Sequence, residues 1–182
     1  MKLCKRLLII TLVSGLLLCL PACKASGQEE ASSGAVTHYS YPITPESEDW
    51  FDYSVLAKVE MLRIPEETLK NMTDEALVAA IAEYPYLLDI GLYGNCYEDG
   101  IEVCRTYFSA LDELLNRDTA QEALKTYGVR IVEEYADPSQ KGDVAVCTIM
   151  ADLINCICKD ICVHTDYDKA TGTYLVSVTE AE

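Results

Sequence analysis

Apolar positions along the chain change spacing several times, and each spacing predicts a different element. An uncharged, predominantly apolar run covers residues 7–20, directly behind Lys2, Lys5 and Arg6. From residue 49 the spacing becomes helical. Leu56, Val59 and Leu62 give a short apolar face that Ile64-Pro65 ends, because the residue before proline is pushed out of the α region. Pro65 then suits the first position of a short helix reaching about Asn71. Thr73 reads as the N-cap of the next helix, with Asp74 and Glu75 in the first turn where the helix dipole favours acids, and Met72 placed to staple onto Leu77. That helix carries Leu77, Ile81 and Tyr84 on one face and stops at Tyr84-Pro85. Ile101, Cys104, Phe108, Leu111 and Leu115 form the clearest stripe and predict one helix over residues 100–115. Asp118 and Gln121 are spaced as a capping pair for a further helix that ends at Tyr127, with Gly128 as its C-cap.

Beyond Tyr127 the pattern shifts again. Residues 144–163 form a long apolar stretch whose polar members Thr148, Asp152, Asn155 and Lys159 fall on one side at helical spacing, so a buried helix is predicted. Residues 161–165 and 174–178, enriched in β-branched side chains around a turn at 168–172, predict a hairpin. The expected fold class is mainly α: a compact bundle or array of short helices with a C-terminal β-hairpin, forming a single domain over residues 49–182. Ahead of it, Ser26, Gly27, Ser32, Ser33 and Gly34 make residues 23–48 read as a flexible tether.

The N-terminal run and its cationic flank have the layout of a signal peptide over residues 1–22. At about 14 residues it falls short of the roughly 20 needed to cross a bilayer as a helix. Leu20-Pro21-Ala22-Cys23 resembles the lipobox of bacterial lipoproteins, with Pro21 standing where that motif usually carries a small residue. The resemblance implies that the Cys23 thiol receives a diacylglyceryl group, that the signal is cut before it, and that the new amino terminus takes a further acyl chain such as palmitate. Two or three chains anchor stably where one barely does. The implied location is the extracytoplasmic face of the cell membrane. Ordinary secretion with cleavage nearby, for instance after Ala25, is the alternative.

Charge narrows the partners. The formal net charge of −16 becomes −19 once the three cations among residues 1–22 are removed. Such a surface repels nucleic acid and anionic lipid or wall polymer, and permits a basic protein partner. Most of the acids read as solvated helix faces.

Ile64-Pro65, Met72-Thr73, Ala76-Leu77 and Tyr84-Pro85, followed by Phe108, Leu111, Glu113-Leu114 and Arg117-Asp118, resemble a group of uncharacterised secreted or lipid-anchored proteins of gut bacteria. The likeness covers roughly residues 50–127. It implies export and a helical fold without supplying a mechanism.

The remaining candidates for chemistry each have a structural reading. Cys156, Cys158, Cys162 and His164 suggest a metal site, but on a helix Cys156 and Cys158 point about 200° apart, and on a strand Cys156 and His164 lie about 26 Å apart. No metal or cofactor is therefore expected. Cys104, Cys147, Cys158 and Cys162 read as small core residues, Cys156 as the most exposed thiol, and the pairing of these and Cys96 is left open. Asp166-Tyr167-Asp168 starts like a calcium loop, but Ser177 stands where an EF-hand needs glutamate. No G-x-S-x-G is present, and His38 and His164 are far apart, so no catalytic residue is assigned. Glu133-Glu134, or Asp166 with Asp168, could do acid–base work only if a pocket gathered them. The sequence thus fits a membrane-anchored binding or scaffolding module, with an extracytoplasmic hydrolase using carboxylates as the alternative.

Overall fold

Local capping sets where the helices of the first half begin. The computed structural model describes residues 34–93 and 97–181, which belong to one compact unit. Ser54 Oγ accepts from the Ala57 amide and starts α1 (Val55–Met61). Pro65 occupies the N-cap of α2 (Glu66–Asn71), one position before the first helical residue. Thr73 Oγ1 accepts from the Ala76 amide at 3.1 Å and starts α3 (Asp74–Ala82), satisfying one of the orphan donors every helix start leaves. Leu77, Val78 and Ile81 of α3 are fully buried, so this helix lies at the centre. A 3-10 turn (Leu87–Gly91) leads on towards α4 (Tyr97–Arg105). Gly100 lets α4 sit against that turn, because a Cβ there would lie 1.9 Å from the Ile90 carbonyl oxygen.

The single helix expected over 100–115 is two. α4 ends at Arg105, and α5 (Ser109–Leu115) begins after Phe108 takes φ −100°, ψ 88°. Tertiary contacts make the break. The Phe108 ring stacks on Tyr84 with centroids 3.7 Å apart, Ser109 Oγ accepts from the Ile64 amide at 3.0 Å, and the Tyr107 hydroxyl reaches Asp89 and Cys104 Sγ. Ile101, Cys104, Phe108 and Leu111 are buried all the same, because the break preserves their common side.

A second correction concerns Gly128. α6 (Ala120–Ala123) runs through a π turn (Leu124–Gly128) into α7 (Val129–Ala136), and Gly128 keeps a right-handed φ of −66°. It is a packing glycine: a Cβ would stand 3.1 Å from Ile154 Cδ1. Asp118 does not cap this helix, whose N-cap position is Thr119 with no side-chain bond.

α8 (Val144–Ile157) starts where the Asp143 carboxylate accepts from the Ala145 and Val146 amides. It ends short of the expected position 163, since Cys158 is already extended and β1 (Ile161–Asp168) follows. β1 pairs antiparallel with β2 (Thr173–Glu180), Val163 opposite Val178 and Tyr167 opposite Tyr174. Gly172, at φ +73°, donates its amide to Asp168 O and closes the turn. The architecture is mainly α with a C-terminal hairpin. α3 packs on α5, α7 on α8, α8 on β1, and one hydrophobic core runs through them all.

The folded part reaches back across the expected boundary at residue 48. Val36 bridges Met72, its amide donating to Asn71 O and its carbonyl accepting from the Thr73 amide. Ile43 is buried, and the Tyr41 hydroxyl donates to Ala80 O at 3.0 Å. The signal peptide, Cys23 and the tether up to residue 33 lie outside the described residues, as does Cys96. Among the described residues, no helix is long and apolar enough to cross a membrane.

Candidate interaction surface

Residues 50–56 turn a sequence rule inside out. The predicted face of α1 has Leu56 pointing inward, yet Leu56 is 83% exposed and Lys58 is 8% exposed. The reason is aromatic. Trp50 is buried and tilted against Tyr86 with centroids 5.8 Å apart, and the Lys58 ammonium lies 4.3 Å from the Trp50 ring centroid. A cation over a tryptophan face is attracted by the ring quadrupole, and the lysine stem covers apolar surface. With Lys58 turned in, Val55 and Leu56 are turned out. They join Phe51, 87% exposed, and Tyr53 to place apolar side chains at four of six consecutive positions on the surface. The Lys58 ammonium is also 6.0 Å from the Phe51 ring, so one cation braces both sides of the segment. Tyr86, which carries Trp50, is followed closely by the exposed Leu88. Scattered surface leucines are ordinary, whereas Phe51, Tyr53, Val55 and Leu56 are grouped within six residues of a strongly charged chain.

A cleft of about 610 Å³ opens between α4 and the α6 region, with Arg105, Arg117 and Lys125 among its lining. Its cations are engaged. Arg105 Nε donates to Asp112 at 3.0 Å, Arg117 binds Asp74 and Glu113, and Lys125 pairs with Asp160. Arg117 also donates to the carbonyls of Met72 and Leu69, so it ties the end of α2 and the start of α3 to α5. The cleft is a seam between helices whose charges balance.

The residues singled out for chemistry are dispersed. Cys104, Cys147 and Cys158 are buried and Cys156 and Cys162 half-buried, all five as thiols. Cys162 was expected in the core and instead sits at a half-exposed position of β1. Among the described residues, no three His, Cys, Asp or Glu side chains come together as a metal ion requires. His38 meets Ser40 and His164 meets Thr179, both on the surface. Asp168 serves the hairpin turn, its carboxylate accepting from the Ala170 amide and the Thr171 hydroxyl. Glu134 pairs with Arg130 and Lys141. Among the described residues, the carboxyl groups of Glu46, Glu66, Asp74, Asp137, Asp160 and Asp168 are held below the usual carboxylate range, helped by hydrogen bonds such as those of Lys125 to Asp160 and of Gln140 and Ser139 to Asp137.

Most of the tyrosines are half-buried, and Tyr53, Tyr93 and Tyr167 are exposed. Tyr84 and Tyr135 are buried, and Tyr39, Tyr41, Tyr84 and Tyr86 make edge contacts with one another. Burial pushes the Tyr84 phenol well up, and its hydroxyl has no hydrogen-bond partner among the described residues. The Tyr97 phenol is raised to about 12, chiefly by its hydrogen bond to Asp152, then by burial.

Sequence periodicity missed the surface segment because it sorts residues by polarity, and here the polar residue is the buried one. The available signal was Trp50-Phe51 followed by an i, i+1 apolar pair, Val55-Leu56, that no single helical face accommodates. Compared with protein-family models, with curated proteins and with solved structures, the chain matches none.

Proposed function

We propose that the chain is an extracytoplasmic lipoprotein, anchored in the cell membrane through Cys23, whose helical domain is a binding or scaffolding module that meets a protein partner at the cell surface. The observation that carries the binding half is the outward Phe51, Val55 and Leu56, held in place by the inward Lys58. Apolar side chains exposed on an otherwise acidic surface gain free energy only when something covers them. The anchoring half rests on Leu20-Pro21-Ala22-Cys23 and the cationic flank before it, and the likeness to lipid-anchored proteins of gut bacteria supports export. The strong negative charge disfavours nucleic acid as the partner. The carboxylate hydrolase alternative needs two acids converging in one pocket with one of them raised, and no observation favours it.

Metabolic labelling with an alkyne analogue of palmitate, followed by fractionation, tests the anchor. The native chain is expected in the membrane fraction carrying label, and Cys23→Ala released and unlabelled. A Cys23→Ala chain that keeps either label or membrane association overturns the assignment. Crosslinking on intact cells tests the module: capture of a discrete partner is expected to fall in Phe51→Ser/Leu56→Ser, and capture unaffected by that variant overturns the role of the patch.

A further inference from the structure

The two edges of the C-terminal hairpin are unlike. On β1, Asn155 of α8 takes both backbone groups of Val163: the Val163 amide donates to Oδ1 at 2.6 Å, and Nδ2 donates to Val163 O at 2.9 Å. A residue whose N–H and C=O both face away from the neighbouring strand belongs to a non-hydrogen-bonded pair of an antiparallel ladder. Val163 stands opposite Val178, so the alternation turns the N–H and C=O of Tyr174, Val176 and Val178 to the outer edge of β2. The bond from the Ala181 amide to Asp160 O agrees with that phase. Among the described residues no third strand joins the sheet and no backbone or side-chain group bonds those three.

The open edge is also uncharged up to Glu180 at its end. Residues 173–179 read Thr-Tyr-Leu-Val-Ser-Val-Thr, without the lysine, proline or bulge by which proteins blunt an edge. β1, by contrast, is plugged by Asn155 and carries His164, Asp166 and Asp168. Beside the β2 edge lies a groove of about 340 Å³ that includes Ala136, Pro138, Tyr174 and Val176, and the charged members of its lining are Glu133 and Asp137, both acidic. Glu133 is exposed and makes no ion pair among the described residues.

We propose that the outer edge of β2 binds an extended peptide segment bearing lysine or arginine, which adds as a third strand and meets Glu133 and Asp137 with its cations. Strand addition draws affinity from main-chain hydrogen bonds, and the pockets met by alternate side chains set specificity. The pairing of a second copy through the same edge is disfavoured by charge, because it brings two strongly acidic chains together with their Glu133 and Asp137 side by side. This proposal goes beyond the anchor and the Phe51 segment and depends on neither.

The test is fluorescence anisotropy with three labelled seven-residue peptides, alternating Lys/Val, Thr/Val and Glu/Val, titrated with the purified chain in mild detergent. The Lys/Val peptide is expected to bind in a salt-sensitive manner, the Glu/Val peptide not to bind, and the amides of Tyr174, Val176 and Val178 to exchange more slowly in the complex. Val176→Pro removes an outward N–H while sparing the β1–β2 ladder, which is where proline is tolerated on an edge strand. It is expected to weaken binding about tenfold, the effect of losing roughly one good hydrogen bond. Glu133→Lys, at an exposed side chain, is expected to weaken the Lys/Val peptide selectively without touching the fold. Equal binding by native and Glu133→Lys chains, equal binding of all three peptides, or no binding overturns the proposal. So does a sedimenting dimer that Val176→Pro dissolves, which would assign the edge to a second copy.

Discussion

Asn155 holds Val163 by both of its backbone groups, 2.6 Å from amide to Oδ1 and 2.9 Å from Nδ2 to carbonyl, so one side chain of α8 substitutes for a neighbouring strand and fixes the hairpin to the helical core. Val163 is buried, which leaves water a poor replacement partner. Asn155→Ala is expected to cost about 2 kcal/mol, the scale of leaving a buried backbone group unsatisfied. Thermal melting together with amide exchange checks this: a lower Tm and faster exchange across β1 are expected, and an unchanged Tm with unchanged exchange contradicts the role given to Asn155.

Arg117 makes a comparable junction between α2, α3 and α5. Its guanidinium donates to Asp74 at 2.8 Å, to Glu113 at 3.0 Å and to the carbonyls of Met72 and Leu69 at 2.9 Å each. An ammonium cannot reproduce this fork, so Arg117→Lys is not conservative here. Both Arg117→Lys and Arg117→Met are expected to destabilise, the latter by about 3 kcal/mol because it strands Asp74 and Glu113 without their cation. Urea unfolding of both variants measures the loss.

The same junction predicts a pH dependence. Burial alone would raise the Asp74 carboxyl, but hydrogen bonds from Arg117 and Thr119, and the guanidinium charge, leave it below its ordinary value. A group depressed in the folded state contributes stability that is fully present above its unfolded pKa, about 3.9 for aspartate, and lost as pH falls through the folded value. The stability gap between native and Arg117→Met chains should therefore hold from pH 7 to pH 5 and narrow below about pH 4. Unfolding midpoints at these pH values read it directly, and a gap that widens in acid contradicts the assignment.

The core thiols should be chemically silent. Burial pushes the Cys104 and Cys147 thiols up, and raises Cys158 to about 11 against the lowering influence of Lys125, with Asp160 and Glu122 adding to the rise. The thiolate is the reactive form. Alkylation at pH 8 followed by peptide mapping is expected to leave Cys104, Cys147 and Cys158 unmodified in the folded chain and modified in guanidinium. Rapid labelling of any of the three without denaturant would contradict their burial.

What the sequence made legible was local. Thr73 caps α3 because a hydroxyl and an amide three residues on need nothing else, and the hairpin around Gly172 follows from alternation and a turn residue. What was not legible depended on distant partners. The break at Phe108 is made by the Tyr84 ring, and Gly128 is set by Ile154 rather than by a helix end. Tyr41 and Ile43 fall in the stretch that reads as a tether, yet the Tyr41 hydroxyl bonds Ala80 O of α3 and Ile43 is buried. Lys58 is the sharpest case: no polarity scale turns a lysine inward, and only the Trp50 ring explains why Leu56 faces water. The plug on β1 was equally hidden, since Asn155 reads as one of several polar residues on α8 until the hairpin folds onto it.

The central claim, that the segment from Phe51 to Leu56 is the contact surface of an anchored module, is tested most directly by site-specific photo-crosslinking in intact cells. A photoreactive amino acid replaces Phe51 in one strain and the exposed Val144 in another. The account predicts a discrete adduct from position 51 that is lost with Leu56→Ser and absent from position 144. No adduct at position 51, or the same adducts from both positions, would contradict it.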